Sequence, residues 1–323
     1  MKKHVSYLKI VAATVAALSL AVTTGCSRPA EGNTKVDANG PVKIAVGIDT
    51  TYAPYFVAED EGLFKNAGGE VELIQFGRGG EAVDALAAGQ VHLAGSSDAT
   101  TITQFQQSPE LIALFATQTS GEYVKVVLRN GVKPENVKKM VVVPGLSEIA
   151  TAKYLEAKGI DAGSVEFITA TPNDASALLK RGDADGFVMW EPWPSNAVAE
   201  GAGTVAETTG DYDWFYNHWV SGRSDVVNAR DEEAQKVASV LAEAARIVEA
   251  EPERAVTATL AHTKVPEEQI LQAIDQIDYE IRSFTGKDLE TGNTMADYFV
   301  GTGVLKEMPE LDKRILVDWI NKK

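Results

Sequence analysis

Residues 42–76, VKIAVGIDTTYAPYFVAEDEGLFKNAGGEVELIQF, contain two short apolar runs that flank a helical pattern. Residues 42–48 and 71–76 read as strands, and residues 55–65 read as a helix between them. Strands that alternate with helices in this way favour a mostly parallel sheet covered by helices on both faces. This stretch therefore predicts an α/β fold.

The same alternation continues along the chain and then starts again. The first set adds a helix over residues 80–88 and strands over residues 91–95 and 111–117. The second set has strands over residues 124–128, 140–143, 165–168 and 187–190, and helices over residues 147–158 and 173–181. After about residue 220 long helices follow, beginning with residues 232–251 and ending with a helix predicted over residues 309–320. The sequence thus predicts two doubly wound α/β lobes and a block of C-terminal helices.

A weak internal repeat supports two similar lobes. An acidic residue followed by Ala opens a helix that ends at Gly89 in the first set and at Gly182 in the second. Both glycines fit the left-handed position that closes a helix before a strand. Any helix–Gly–strand unit shares this look, so the repeat adds modest support.

The N-terminus has the pattern of a secretory signal. Three lysines precede residues 10–22, an uncharged and mostly apolar run too short to span a bilayer as a helix. We predict a signal peptide over residues 1–25, lipidation at Cys26 and a flexible polar tether over residues 26–40. Cys26 is the only cysteine in the chain, so it has no partner for an internal disulfide. The alternative is an ordinary signal peptide with an incidental cysteine.

The charge balance argues against some partners. The chain has 46 acidic and 30 basic residues, a net charge of −16. Such a surface disfavours binding to nucleic acid or docking on anionic lipid. Any contact with the membrane is expected through the lipid anchor.

Five motifs resemble one family of proteins. They are Ile48–Ala58 (IDTTYAPYFVA), Glu61–Phe64 (EGLF), Gly95–Asp98 (GSSD), Val143–Ser147 (VPGLS) and Asp185–Trp193 (DGFVMWEPW). In this order they resemble the sulfonate-, nitrate- and taurine-type solute-binding proteins of ABC importers.

The resemblance implies a fold of the periplasmic binding protein type II kind, with a hinge between the lobes and the solute clamped in the cleft. It implies lobe I over residues 41–121, lobe II over residues 122–219 and a return to lobe I over residues 220–323. The expected partners are a small organic solute with an anionic head, an ABC permease and its ATPase. We expect a monomer without a cofactor, on the outer side of the cytoplasmic membrane.

Nine residues are candidates for the solute site. They lie in the resembling motifs or in loops between a predicted strand and helix, and they are Tyr52, Arg78, Gly79, Ser96, Ser97, Gly145, Ser147, Trp190 and Glu191. Ligands of open α/β sheets collect at the carboxyl ends of the strands, which is where these loops fall. Arg78 could hold a carboxylate or sulfonate in a bidentate manner, or it could be a surface residue of a tight turn.

The other candidates also have alternative roles. Ser96 and Ser97 could donate to the solute or belong to a turn, with Asp98 capping the next helix. Gly145 would offer backbone N–H groups, with Ser147 as the cap of its helix. Trp190 offers a wall for the body of a solute.

Glu191 could bind an amine of a taurine-like solute, but we favour a structural role in the loop that follows Trp190. Trp214, Phe215, Tyr216 and Trp219 are expected to belong mostly to the core.

The sequence contains few residues in arrangements typical of an enzyme. His92, His218 and His262 are widely spaced and form no HExxH pattern. A related fold serves a pyrimidine-synthesising enzyme with a cysteine-rich motif, and this chain has no such motif. The solute itself stays open, since nitrate, an aromatic carboxylate and a pyrimidine precursor are alternatives to a sulfonate.

Overall fold

Two separate β-sheets organise the computed structural model, which describes residues 36–37 and 39–320. The predicted signal peptide, Cys26 and most of the predicted tether lie outside the described residues. The first lobe begins with β1 (Val42–Val46), α1 (Ala53–Asp60), α2 (Leu63–Asn66), β2 (Val71–Gln75), α3 (Gly79–Ala87), β3 (Leu93–Ser97), α4 (Asp98–Gln104) and β4 (Leu111–Ser120).

The second lobe follows directly and also alternates strands with helices. It contains β5 (Val124–Arg129), β6 (Lys139–Val142), α5 (Leu146–Ala157), β7 (Glu166–Thr169), α6 (Ala175–Arg181), β8 (Gly186–Trp190), α7 (Trp193–Ala199) and β9 (Gly203–Thr208). The chain then returns to the first lobe through β10 (Tyr216–Arg223), α8 (Ser224–Val227), α9 (Asp231–Ala250), α10 (Pro252–His262), α11 (Glu267–Asp275), β11 (Arg282–Ser283), α12 (Gly286–Gly301) and α13 (Leu311–Arg314).

The sheets have the predicted α/β character. The first has the strand order β11-β4-β10-β3-β1-β2, and the second has the order β7-β6-β8-β5-β9. β1 is parallel to both β2 and β3, while β10 runs antiparallel to β3 and β4. In the second sheet β6 is parallel to β7 and β8, and β5 is antiparallel to its neighbours. Because β10 belongs to the first sheet, the return to lobe I falls before Tyr216 and not after Trp219.

Two crossings join the lobes side by side. The chain leaves β4 through residues 121–123 and comes back from β9 through residues 209–215. The backbone N–H of Gly210 donates to the carbonyl of Gly121 at 2.7 Å. A Cβ on Gly121 would lie 3.0 Å from the Cα of Gly210, so the two crossings meet backbone to backbone. These segments are the two connections between the sheets.

The C-terminal helices complete the core of the first lobe. α9 buries Val237, Leu241, Ala244 and Val248, which recur at the spacing of one helix face, and it packs against α1. Burying an aliphatic side chain of this size contributes about 1.5–3 kcal/mol. The predicted amphipathic helix over residues 232–251 is therefore confirmed within one residue at each end.

The helix predicted over residues 309–320 is wrong beyond α13. The helix ends at Arg314, and single bridges follow from Ile315 to Ala113 and from Val317 to Phe284. The N–H of Leu316 donates to the carbonyl of Ala113 at 3.0 Å. Pairing with β4 satisfies this backbone in place of helical hydrogen bonds.

Candidate functional site

The loops at the carboxyl ends of the strands of both sheets meet in one cleft. Its walls come from the loops after β1, β2 and β6, from the last residues of β3 and β8, from the first residues of α3, α4 and α5, and from β10. The lining residues are Asp49, Thr51, Tyr52, Arg78, Gly79, Gly80, Ser96, Ser97, Thr100, Val143, Pro144, Leu146, Trp190, Tyr216 and His218.

The structure brings six of the nine predicted site residues to this cleft, namely Tyr52, Arg78, Gly79, Ser96, Ser97 and Trp190. The other three, Gly145, Ser147 and Glu191, lie close by in the chain without lining it.

The cleft is nearly closed. The space inside is about 40 Å³, room for roughly three water molecules at about 10–15 Å³ each. The lobes touch where α4 meets the start of α5, with the N–H of Leu146 3.4 Å from Oγ1 of Thr100. A solute larger than a few atoms therefore enters only if the lobes move apart.

Asp49 forms part of the floor. Its Oδ1 accepts hydrogen bonds from the N–H of Thr51 at 3.0 Å, from the hydroxyl of Thr51, and from the hydroxyl of Tyr123 at 3.3 Å. Its Oδ2 has no hydrogen-bond partner among residues 36–37 and 39–320. Burial raises the pKa of this carboxyl, and the hydrogen bonds from Thr51 act against that rise.

Arg78 stands at the rim of the cleft, directly before α3. Its Nε donates to Oε1 of Glu81 at 3.3 Å, and the side chain is 37% exposed. The guanidinium folds back over Gly80, where a Cβ would lie 3.1 Å from Nη1.

Ser96 lies behind Gly79, which must be small. A Cβ on Gly79 would lie 2.7 Å from the hydroxyl of Ser96. That hydroxyl has no partner within the described part of the chain. It is available to a molecule in the cleft.

The helix cap predicted for Asp98 is provided by Ser97, which also lines the cleft. Ser97 is the N-cap of α4 and accepts from the N–H of Thr100 at 3.1 Å. Asp98 is the first residue of the helix; its carboxylate accepts from the N–H of Ala99 at 2.7 Å and from Nδ2 of Asn217 at 3.0 Å. Burial raises the pKa of Asp98 to about 7. Asp98 does not line the cleft.

Ser147 is not the cap of its helix as predicted. Gly145 holds that position with a φ of +88°, and a Cβ there would lie 2.7 Å from Oγ1 of Thr100. Glycine is required for both reasons, because L side chains rarely adopt this φ and the other lobe is in contact. Ser147 is fully buried, and its hydroxyl has no partner in the described residues.

Glu191 turns away from the cleft. Its Oε1 forms a buried ion pair with Nζ of Lys125, and its Oε2 accepts from the N–H of Ser195 at 3.2 Å. The carbonyl of Glu191 accepts from the hydroxyl of Tyr123 at 2.8 Å. The geometry agrees with the favoured structural role for this residue, while Trp190 faces the cleft.

Three residues of the floor were not among the predicted site residues, and they are Asp49, Tyr216 and His218. Burial lowers the pKa of His218 to about 3, so the imidazole is neutral at physiological pH. Its ring stands edge-on to Tyr52, with centroids 4.9 Å apart, and Nε2 has no described partner. Asp49 could have been noticed, because a polar residue follows the first strand just as Ser96 and Ser97 end the third.

Two features are absent from residues 36–37 and 39–320. No group of three or more His, Cys, Asp or Glu side chains is placed to hold a metal ion. No helix there has the length and apolar content needed to cross a membrane.

The sequence matches the model of the NMT1-like family over residues 37–262. This chain belongs to the NMT1-like family. The match covers most of the chain and includes every lining residue of the cleft. A comparison with curated protein sequences finds no match.

Solved structures share the fold of this NMT1-like protein. The periplasmic aliphatic sulphonate binding protein SsuA from Escherichia coli aligns with a TM-score of 0.76 at 16% identity, over 88% of this chain and 100% of that chain. The alkanesulfonate-binding protein SsuA from Xanthomonas axonopodis pv. citri, bound to MOPS, gives 0.71 at 14% identity, over 87% and 98%. The periplasmic nitrate-binding protein NrtA from Synechocystis PCC 6803 gives 0.70 at 18% identity, over 85% and 84%. The NMT1-like chain therefore has the periplasmic binding protein fold.

Proposed function

We propose that this protein is the solute-binding component of an ABC importer, and that it captures a small organic anion of the sulfonate type. The observation that carries the proposal is the cleft itself, which the strand-end loops of two hinged lobes enclose. Proteins of the same fold bind sulfonates and nitrate, which supports the class of solute. Nothing in this role requires a catalytic step.

Arg78 is the proposed partner of the anionic head. Its Nη1 and Nη2 form no hydrogen bond within the described residues, so the contact with Glu81 through Nε leaves both groups for the solute. The first turn of α3 begins at Gly79 and directs free N–H groups toward the same place. The unpartnered hydroxyl of Ser96 adds a neutral donor.

The body of the solute would lie against aromatic rings. Trp190 faces the cleft from lobe II, and Tyr52 and Tyr216 face it from lobe I. Flat aromatic walls bind an organic body well and would be left unused by bare nitrate. This contrast favours an organic anion over an inorganic one.

Capture and release follow from the hinge. The lobes meet across the cleft at Thr100 and Leu146, far along the chain from the crossings at Gly121 and Gly210. Opening about those crossings would admit the solute, and closing would bury it between the lobes. The closed form would then deliver the solute to the permease.

Anchoring through Cys26 is part of the proposal. A lipidated Cys26 would hold the protein at the outer side of the cytoplasmic membrane, with the polar residues after it as the tether. The tether would end before Val36, because the N–H of Val36 donates to the carbonyl of Gly89 at 2.9 Å and Gly40 accepts from Arg230. Cys26→Ala should move the protein from the membrane fraction to the soluble fraction of lysed cells. Wild-type protein that is soluble without detergent would contradict the anchor.

A solute screen tests the proposed function directly. Thermal shift would rank alkanesulfonates, nitrate, benzoate and a pyrimidine, and calorimetry would measure the best of them. A solute at about 100 times its Kd adds about 2.7 kcal/mol to stability, enough for a clear shift. We expect an alkanesulfonate to rank first; a nitrate or pyrimidine that ranks first would contradict the predicted head group.

A further inference from the structure

Asp49 has a buried carboxylate, in which one oxygen accepts hydrogen bonds and the other accepts none from the described residues. The residue is 9% exposed and lines the cleft. All three hydrogen bonds to its side chain end on Oδ1, from Thr51 twice and from Tyr123. Oδ2 is the oxygen without a partner in the described residues.

Among the described residues, no cation forms an ion pair with the carboxylate of Asp49. Lys125, the buried cation of the neighbouring lobe, is committed to Glu191, and its side chain is only 8% exposed. His218 faces the same cleft but is neutral, because burial lowers its pKa to about 3.

A buried carboxylate without a counter-charge is costly, and the cost falls when a cation arrives. Tyr52, Tyr216 and Trp190 line the same space, and the face of an aromatic ring attracts a cation. An anionic group at this place would meet the like charge of Asp49. The two ends of the cleft therefore differ in sign, with Arg78 at the rim and Asp49 at the floor.

We infer that the solute carries a protonated nitrogen opposite its anionic head, and that Oδ2 of Asp49 binds that nitrogen. The inference rests on the proposed function and narrows it to zwitterions of the aminoalkanesulfonate type. Asp49 replaces Glu191 as the residue that reads an amine, because both oxygens of Glu191 are already engaged within lobe II. Asp49 would then determine specificity.

Matched pairs of solutes test the inference. The probes are 2-aminoethanesulfonate and 3-aminopropanesulfonate, each compared with the alkanesulfonate that lacks the nitrogen. Calorimetry on the full-length wild-type protein should show the amino compound of at least one pair binding about ten- to a hundred-fold more tightly, the size of one charged hydrogen bond. Equal affinity within both pairs would overturn the inference and leave the proposed function standing.

Asp49→Asn separates the nitrogen from the rest of the solute. The amide keeps an oxygen for Thr51 but places an NH₂ group where Oδ2 was, so the ratio of affinities between the amino compound and its nitrogen-free partner should fall to about one. Asp98→Asn is the control, since it also removes a buried lobe I carboxylate but does not line the cleft, and it should keep the preference.

A preference that survives in Asp49→Asn would overturn the role of Asp49. Binding of none of the four sulfonates to the wild-type protein would instead overturn the proposed sulfonate function, and the inference with it. A circular dichroism melt of both variants establishes that each is folded before titration.

Discussion

Asp49 in lobe I and Glu191 in lobe II are both buried carboxylates beside one cleft, and they are used in opposite ways. Glu191 spends both oxygens within its own lobe, on Lys125 and on the N–H of Ser195. Asp49 leaves Oδ2 free toward the cleft. Burial alone does not tell a structural carboxylate from a binding one, whereas the count of partners on each oxygen does.

The same contrast extends to the two walls of the cleft. Lobe I contributes the polar groups that have unused hydrogen-bonding capacity, namely Arg78, Asp49 and Ser96. Lobe II contributes Trp190 and apolar residues at the start of α5. Its ion pair of Lys125 and Glu191 is buried and does not line the cleft. We infer that lobe I recognises the solute and that lobe II covers it.

The largest effect that we expect is the loss of stability when the buried ion pair of lobe II is disrupted. Lys125→Met leaves the carboxylate of Glu191 buried without its partner, which should lower the free energy of unfolding by about 3–5 kcal/mol. Guanidinium unfolding of the purified protein measures it. Lys180→Met removes an exposed ion pair with Glu200 and should change stability by less than about 1 kcal/mol.

The double variant Lys125→Met with Glu191→Gln separates the effect of an unpaired charge from the effect of lost packing. It removes both charges, so most of the lost stability should return. If the single and double variants are equally destabilised, the loss comes from packing of the lysine stem and not from an unpaired charge.

A third buried carboxylate, Asp98, should show its environment through pH. Its pKa of about 7 in the folded protein is above the value of 3.8 expected for the unfolded chain, so the folded state holds the proton more tightly. Its contribution to stability is present below pH 3.8 and is lost as the pH rises through 7.

Asp98→Asn should remove that loss. Relative to the wild type, the variant should gain on the order of 2–4 kcal/mol between pH 4 and pH 8. Urea unfolding at several pH values measures the difference. A constant difference between the two proteins across this range would contradict the raised pKa.

Arg78→Ala tests the anionic end of the recognising wall. Loss of its charged hydrogen bonds should weaken binding of the best sulfonate by about 1.5–3 kcal/mol, roughly ten- to a hundred-fold. Titration calorimetry measures it, with Arg181→Ala as a control at an exposed arginine of lobe II. Unchanged affinity in Arg78→Ala would place the anionic head elsewhere.

The smallest expected effect concerns the stability contributed by Asp49. Asp49→Asn keeps the acceptor for Thr51 and removes a charge that burial disfavours, so the free energy of unfolding at pH 8 should not fall by more than about 1 kcal/mol. Chemical denaturation measures it beside Glu191→Gln. A loss as large as that of Lys125→Met would show that Asp49 is structural, and the comparison with Glu191 would fail.

Local features of the sequence were predictable, and distant pairings were not. The apolar runs that became β1 to β3 and the left-handed glycine at Gly182 are recognisable within a few residues. The pairing of Lys125 with Glu191 joins residues 66 positions apart, so no local pattern announces it. Unless that pair is known, the sequence does not distinguish the two carboxylates. Oδ2 of Asp49 has no partner in the described residues, whereas both oxygens of Glu191 have partners.

Helix boundaries failed for identifiable reasons. Residues 315–319 have apolar spacing suited to a helix, but the open edge of β4 supplies hydrogen-bond partners. α12 begins at Gly286, directly after Thr285, which forms a capping box with Asp288. The position of Ser147 at the second residue of α5 follows from the contact of Gly145 with Thr100, which comes from the other lobe.

Small-angle X-ray scattering tests the central claim, that two lobes close on a solute. The radius of gyration of the full-length protein should decrease when the sulfonate with the highest measured affinity is added at saturation. Arg78→Ala at the same solute concentration, which no longer saturates it, should show a smaller decrease. A wild-type radius that stays constant, with saturation established by calorimetry on the same sample, would contradict the account.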